Sequence, residues 1–309
     1  MAIVIIRQDN KTQEWKNALL AVDSSIEVYA YEEDYDSNDI DMALIWKHPE
    51  GSLTQFPNLK CIASNGAGVD FIFEDKTAPI HLPITRIVDS YLAADMSEHV
   101  LALILAYLKN IEHYKVDQFK KIWKPIQYKR IADFNIGILG LGTLGQALAN
   151  DLVKFGFKVQ GWSNSRKKID NVESFEGQAE LSKFLSTTEV LVCLLPLTDE
   201  TYGILNKKLF KQLPKGAYVI NVARGGHLVD NDLIEMLDNE HLSGASLDVY
   251  HKEPLVKHHP FWEHSKVHMT PHYASVSDTK FVVPQILENY RRLQKNEPLL
   301  NLVSKSKGY

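Results

Sequence analysis

The sequence predicts an α/β protein of two doubly wound domains, parallel sheets covered by helices. Three observations carry this expectation. Short β-rich runs alternate with stretches of helical spacing along the chain. One such run, Asn135–Leu139, leads directly into a glycine-rich turn and a helix. The length, 309 residues, suits about two domains of ordinary size, each with its own core.

In the first unit, strands are expected at 3–6, 26–29, 42–46 and 60–63, around a helical stretch at 12–21. One-sided apolar spacing predicts a long helix over 95–115. A basic, aromatic connection, 119–130, separates it from a second unit. That unit opens with strand Asn135–Leu139 and a helix over 146–155. Further strands are expected at 158–162, 190–194, 218–221, 244–248 and Val267–Met269, and a last helix at 278–294.

Hydrophobic residues make up 45% of the chain and charged residues 24%, the balance of a globular protein and not of a disordered one. A formal net charge of -5 gives no general attraction for nucleic acid or an anionic membrane, so neither is expected as a partner. Cys61 and Cys193 sit in apolar contexts and predict reduced core residues, not a disulfide or metal framework. The N-terminal run has no basic region before it and no small-residue cleavage site after it, unlike a secretory leader. The apolar run 100–108 is well short of the roughly 20 residues of a membrane span. A cytoplasmic location is the expectation.

The strongest local signal is Gly140-Leu141-Gly142-Thr143-Leu144-Gly145, between a strand and a helix. Gly140 permits the tight turn, Gly142 lets backbone approach a pyrophosphate, and Gly145 allows close helix–strand packing. Thr143 and Leu144 lie in the turn before a helix whose free N–H groups and positive dipole face that anion. The next strand ends at Trp162-Ser163-Asn164-Ser165-Arg166-Lys167-Lys168. A site for NAD ordinarily has Asp or Glu here for the ribose hydroxyls. Ser163 stands there instead, and with Arg166 it can hold a 2′-phosphate that a carboxylate would repel. NADP(H) is therefore the expected cofactor, with NAD(H) still possible.

Three later segments end predicted strands: Asn221-Val222-Ala223-Arg224-Gly225-Gly226, Leu247-Asp248-Val249-Tyr250-His251-Lys252-Glu253-Pro254, and Thr270-Pro271-His272-Tyr273-Ala274-Ser275. In an open parallel sheet the carboxyl ends of strands line the ligand crevice, so Arg224, Glu253 and His272 can converge on one side of the cofactor. Taken singly, each has an ordinary alternative: a structural ion pair, a surface charge before proline, a core histidine. His258, His259, His264 and His268 lack metal-motif spacing and are expected on the surface or in loops, and no metal is expected.

With Asn65-Gly66-Ala67-Gly68-Val69-Asp70, these segments resemble the D-isomer-specific 2-hydroxyacid dehydrogenase family over nearly the whole chain. Within it, 43–46, 66–70, 137–140 and Trp162-Ser163 look most similar to the bacterial glyoxylate/hydroxypyruvate reductases of the A type. The resemblance implies a Rossmann dinucleotide-binding domain, 98–276, inserted into a flavodoxin-like substrate domain, 1–97 with 277–309. It implies reduction of a small 2-oxo acid, with Arg224, Glu253 and His272 as the catalytic set and a homodimer formed through the long helix region. It further implies a substrate carboxylate at Ala67 and Gly68, with Trp46 as a weaker pocket candidate. Leu195, Pro196, Ala223 and Asp248 resemble the family's cofactor contacts. Asn164 stands where relatives carry arginine, and Tyr273-Ala274-Ser275 departs from the family pattern after the histidine. An NAD-linked enzyme for D-lactate or a bulkier 2-hydroxy acid, and a dinucleotide-sensing binding protein like the family's corepressors, stay open as alternatives.

Overall fold

The computed structural model of the protein describes residues 2–305 and 307–309. In chain order its elements are β1 (Ala2–Arg7), α1 (Thr12–Val22), β2 (Glu27–Ala30), β3 (Ile40–Trp46), β4 (Cys61–Ser64), α2 (Asp70–Glu74) and β5 (Ile84–Thr85). Then come α3 (Ser90–Leu108), α4 (Ile111–Lys120), β6 (Asn135–Leu139), α5 (Thr143–Lys154), β7 (Lys158–Ser163), β8 (Val172–Glu176) and α6 (Gly177–Ser186). The chain closes with β9 (Val190–Cys193), α7 (Lys207–Phe210), β10 (Ala217–Asn221), α8 (Asp230–Asp238), β11 (Leu242–Leu247), β12 (Val267–Met269) and α9 (Thr279–Lys295). Two compact units result, Met1–Leu92 with Ser277–Tyr309, and Ala93–Val276. The first boundary falls inside α3.

The first unit is a five-stranded parallel sheet in the order β2-β1-β3-β4-β5, the flavodoxin-like order. Its central strands are largely apolar, over 2–6 and 42–46, because both faces are covered. Trp15 and Leu19 of α1 and Val282, Val283, Ile286, Leu287 and Tyr290 of α9 pack on one face. Beyond β5, Leu302 bridges to Thr85 in antiparallel sense.

The second unit is a seven-stranded parallel sheet, β12-β11-β10-β9-β6-β7-β8. Strand order reverses at β6 and β9, the switch point where such sheets open a crevice at their carboxyl ends. Phe184 and Leu185 of α6 and Leu233, Met236 and Leu237 of α8 fill one face. Met96, Val100, Ile104 and Leu108 of α3 recur every four residues and fill the other.

Several expectations need correction. The single helix over 95–115 is two, α3 and α4, separated at Asn110, which turns left-handed with φ 55°; asparagine tolerates that conformation better than most residues. The helix also begins earlier, at Ser90, because the Asp89 carboxylate accepts a hydrogen bond from Leu92 N–H in the first turn. The resulting helix has 19 residues and a mean hydropathy of 1.3 over its best window, so it meets the length and composition of a membrane span that 100–108 did not. Its buried stripe in the core of the second unit accounts for the apolarity. His268 is a half-buried residue of β12 and not a surface or loop residue. Elements α2, β5, β8, α6, α7 and α8 have no counterpart among the expected ones.

Phe184→Ala removes a fully buried ring from the second unit's core. It should lower the unfolding free energy by about 3–5 kcal/mol in urea denaturation. A loss below about 1 kcal/mol would contradict this packing.

Candidate active site

The glycine turn after β6 is built by steric necessity. Gly140 has φ 104°, and a Cβ there would stand 2.7 Å from the carbonyl oxygen of Leu194. A Cβ on Gly145 would lie 1.9 Å from the Gly140 oxygen, so α5 can seat against the turn only with glycine there. At Gly142 the reverse holds: a Cβ would meet nothing within 4 Å, leaving an open cradle at the start of α5. Thr143 begins the helix and Leu144 is half-buried beneath it. This arrangement fits a dinucleotide pyrophosphate, which needs close backbone approach and free helix N–H donors. The loop after β9 lies next to it: Leu194 N–H donates to the Leu139 carbonyl. There the Pro196 carbonyl accepts a 2.7 Å hydrogen bond from Thr201 Oγ1. It also lies 3.2 Å from Nε2 of the fully buried His227.

The basic loop after β7 is tied down. Ser163 Oγ donates to the Ser165 carbonyl at 2.8 Å. Arg166 forks onto both carboxylate oxygens of Glu180 at 2.7 Å and donates to the Ser174 carbonyl at 2.6 Å. That pairing raises the guanidinium's pKa, while the Glu176 N–H, then Arg166, hold the Glu180 carboxyl below its usual range. Ser163 and Arg166 thus engage different partners.

At the ends of β10, β11 and β12 the three segments singled out above come together. Arg224 follows β10, where Asn221 Nδ2 donates to its carbonyl at 2.9 Å, and its own guanidinium donates to the Ala223 carbonyl at 2.7 Å. Nδ1 of His227 lies 3.1 Å from the same Arg224 carbonyl, so one ring links this loop to the loop after β9. Gly225 abuts the backbone of Tyr250 and His251; a Cβ there would sit 2.0 Å from the Tyr250 carbonyl carbon. In turn Glu253 Oε1 accepts from Tyr250 N–H at 3.1 Å, and its Oε2 lies 2.7 Å from His272 Nδ1. A carboxylate only accepts, so Nδ1 carries the hydrogen and Nε2 is left for other chemistry.

His272 itself has φ 54°, the left-handed region that costs a non-glycine residue about 1–3 kcal/mol and persists only when its surroundings impose it. Asp248 does the imposing. Its carboxylate, 1% exposed, accepts from Thr270 Oγ1 at 2.5 Å and from the N–H groups of Tyr273 and Ala274 at 3.0 Å each. Three donors from the histidine turn converge on it, so the acid expected at the cofactor is occupied by the turn that carries His272.

In the first unit, Trp46 at the end of β3 and the glycine loop after β4 are in contact. A Cβ on Gly66 would meet the Trp46 ring at 2.6 Å. Phe71 packs edge-on against both Trp46 and His48, and buried His48 meets Asp75 at 3.1 Å. Ser64 Oγ donates to the Gly68 carbonyl at 2.9 Å, curling the loop. Among the described residues the N–H groups of Ala67, Gly68 and Val69 have no acceptor, which suits them to an anion.

A family description, D-isomer specific 2-hydroxyacid dehydrogenase, NAD binding domain, matches residues 101–274. The chain belongs to the D-isomer specific 2-hydroxyacid dehydrogenase family. It is 39% identical to glyoxylate/hydroxypyruvate reductase A of Yersinia enterocolitica over 279 residues, 89% of each chain. It is 40% identical to the protein of the same name from Photorhabdus laumondii over the same span. Among solved structures it resembles a D-isomer specific 2-hydroxyacid dehydrogenase from Xanthobacter autotrophicus in complex with NADPH and MES. That match has 37% identity, TM-score 0.95, and covers 100% of this chain and 99% of the other. It also resembles the NADPH-dependent glyoxylate/hydroxypyruvate reductase of Sinorhizobium meliloti in complex with NADP and sulfate, at 36% identity and TM-score 0.93, covering both chains entirely. Membership makes the second unit a nicotinamide-dinucleotide domain of an oxidoreductase family.

Sequence reasoning missed Asn221, His227 and Glu180. Asn221 and His227 bracket Arg224 by three residues on either side, a spacing that reads as an ordinary strand end and loop. Glu180 lies in 172–186, where the two apolar residues of Val172-Glu173-Ser174-Phe175-Glu176 are three apart and give no period-two sign of a strand.

Asp248→Asn keeps the shape but puts an amide where donors converge. It should lower kcat about tenfold, the cost of one unmade buried hydrogen bond. NADPH affinity, read by fluorescence titration, should stay within about twofold. Unchanged kcat with weakened NADPH binding would contradict the role as a clamp on the histidine turn.

Proposed function

We propose that this chain reduces small 2-oxo acids, glyoxylate and hydroxypyruvate foremost, to 2-hydroxy acids at the expense of NADPH. The observation that carries the proposal is the 2.7 Å contact between Glu253 and His272 beside the Arg224 loop. Residues Gly140, Gly142, Thr143, Leu144 and Gly145 would hold the pyrophosphate, and Ser163 with the basic loop the adenosine ribose and its phosphate. Leu195, Pro196 and Ala223 lie in the loops just after β9 and β10 and would line the nicotinamide half. When bound, the dinucleotide supplies the hydride.

The chain's own residues do the rest. Arg224 offers a planar fork to the substrate's carboxylate and ketone oxygens. His272, charged and held at Nδ1 by Glu253, gives its Nε2 proton to the ketone oxygen as that oxygen gains negative charge. In the first unit, the backbone N–H groups of Ala67 and Gly68, with Trp46 beside them, would suit a carboxylate. We assign the substrate domain to the first unit on this basis. The reading includes a cytoplasmic homodimer, with no nucleic-acid or membrane partner. Support for a second copy comes from α4 and the connection after it, where Phe119 is 90% and Trp123 98% exposed, an apolar display that a partner surface would cover.

The test is NADPH oxidation with a panel of glyoxylate, hydroxypyruvate and pyruvate, for the wild type and His272→Gln. Turnover should be clear with the first two, and the variant should lose about 10²–10⁴ in kcat while still binding NADPH. Near-normal kcat in the variant would reject the histidine's role, and absence of turnover with every 2-oxo acid would reject the function.

A further inference from the structure

The acid that is missing from the end of β7 reaches the same loop from another element. Glu180, in the first turn of α6, takes the Arg166 guanidinium on both carboxylate oxygens at 2.7 Å. It is not a drifting surface group. Its Oε2 also accepts the Glu176 N–H at 2.7 Å, which pins the carboxylate at the head of the helix. Glu176 adds Oε1 at 3.5 Å from Arg166 Nε and accepts the Arg166 N–H at 2.8 Å. Of the loop's three cations, Arg166 is therefore matched by carboxylates. Lys167 instead donates from Nζ to Ser165 Oγ at 2.9 Å. Among the described residues, Lys167 and Lys168 form no ion pair with a carboxylate.

We propose that Glu180 sets the balance between the two nicotinamide dinucleotides, by offsetting the charge that Arg166 would otherwise bring to a 2′-phosphate. This rests on the reading that the loop after β7 receives the adenosine ribose. A 2′-phosphate is close to a dianion, and a fixed carboxylate several ångströms away repels it through water-like dielectric. The unphosphorylated cofactor carries no such charge at that position and is spared the repulsion. Glu180 thus makes the loop less selective for NADPH than its count of cations implies, and keeps NADH usable. Because the pair is half exposed, with side chains 49% and 36% accessible, the effect is screened by salt.

The test uses 2′,5′-ADP and 5′-AMP, fragments with and without the 2′-phosphate, titrated calorimetrically into wild type and Glu180→Gln. Glutamine keeps an oxygen for the Glu176 N–H, and Glu180→Ala, checked by circular dichroism, serves as a second variant. The expected result is about tenfold tighter 2′,5′-ADP in both variants at low salt, shrinking as salt rises. The kcat/KM ratio of NADPH over NADH should rise by the same factor. Unchanged 2′,5′-ADP affinity would overturn the proposal. Weaker affinity would overturn it too, since Glu180 would then be aiming the arginine and not offsetting it. If wild type binds neither fragment, the dinucleotide reading of the loop fails instead, and the two failures are told apart without any turnover.

Discussion

A single short contact organises the ligand-facing end of the second unit: the carboxylate of Glu253 against Nδ1 of His272. Its two partners are 19 residues apart in sequence and belong to loops after neighbouring parallel strands. Holding them together requires the histidine turn to adopt a left-handed backbone. That strain is maintained by the buried carboxylate of Asp248, which collects three hydrogen bonds from the same turn. Buried polar groups with every partner in place are rigid, and rigidity is what a proton donor needs to be aimed before its substrate arrives.

The same economy appears around Arg224. Its carbonyl is gripped by Asn221 and faces the ring of His227, and that ring also faces the carbonyl of Pro196. A glycine behind it lets the loop lie flush on Tyr250 and His251. The loops after β9, β10 and β11 are therefore a connected set, and a displacement of one is felt by the others. Charge is arranged as carefully as shape. The dinucleotide end has an open glycine cradle at a helix start, whereas the basic loop has its arginine already engaged by Glu180. On the proposed reading, affinity for the pyrophosphate and selectivity for the ribose would come from different physics, backbone donors in one case and opposed side-chain charges in the other.

Much of this was legible in the sequence, for definite reasons. Buried parallel strands such as residues 2–6 are continuous apolar runs, and a glycine triplet between strand and helix leaves few other readings. Arg224, Glu253 and His272 stood at strand ends, where a parallel sheet presents its ligands. What escaped notice depended on tertiary contact. The break at Asn110 lies within a continuous helical pattern and shows only in a backbone angle. Asp248 has the residue type of a ribose ligand, and nothing in the sequence shows the three donors that its carboxylate gathers from the histidine turn. Glu180 is an ordinary half-exposed acid in the first turn of α6 until its partner is known.

The central claim is that a guanidinium and a proton-carrying imidazole act on one small acid. A crystal structure with NADP and oxamate, an unreactive mimic of a 2-oxo acid, tests it most directly. Arg224 and His272 Nε2 should both lie within about 3 Å of the oxamate oxygens. Oxamate bound with either side chain turned away, more than about 6 Å from it, would contradict the account.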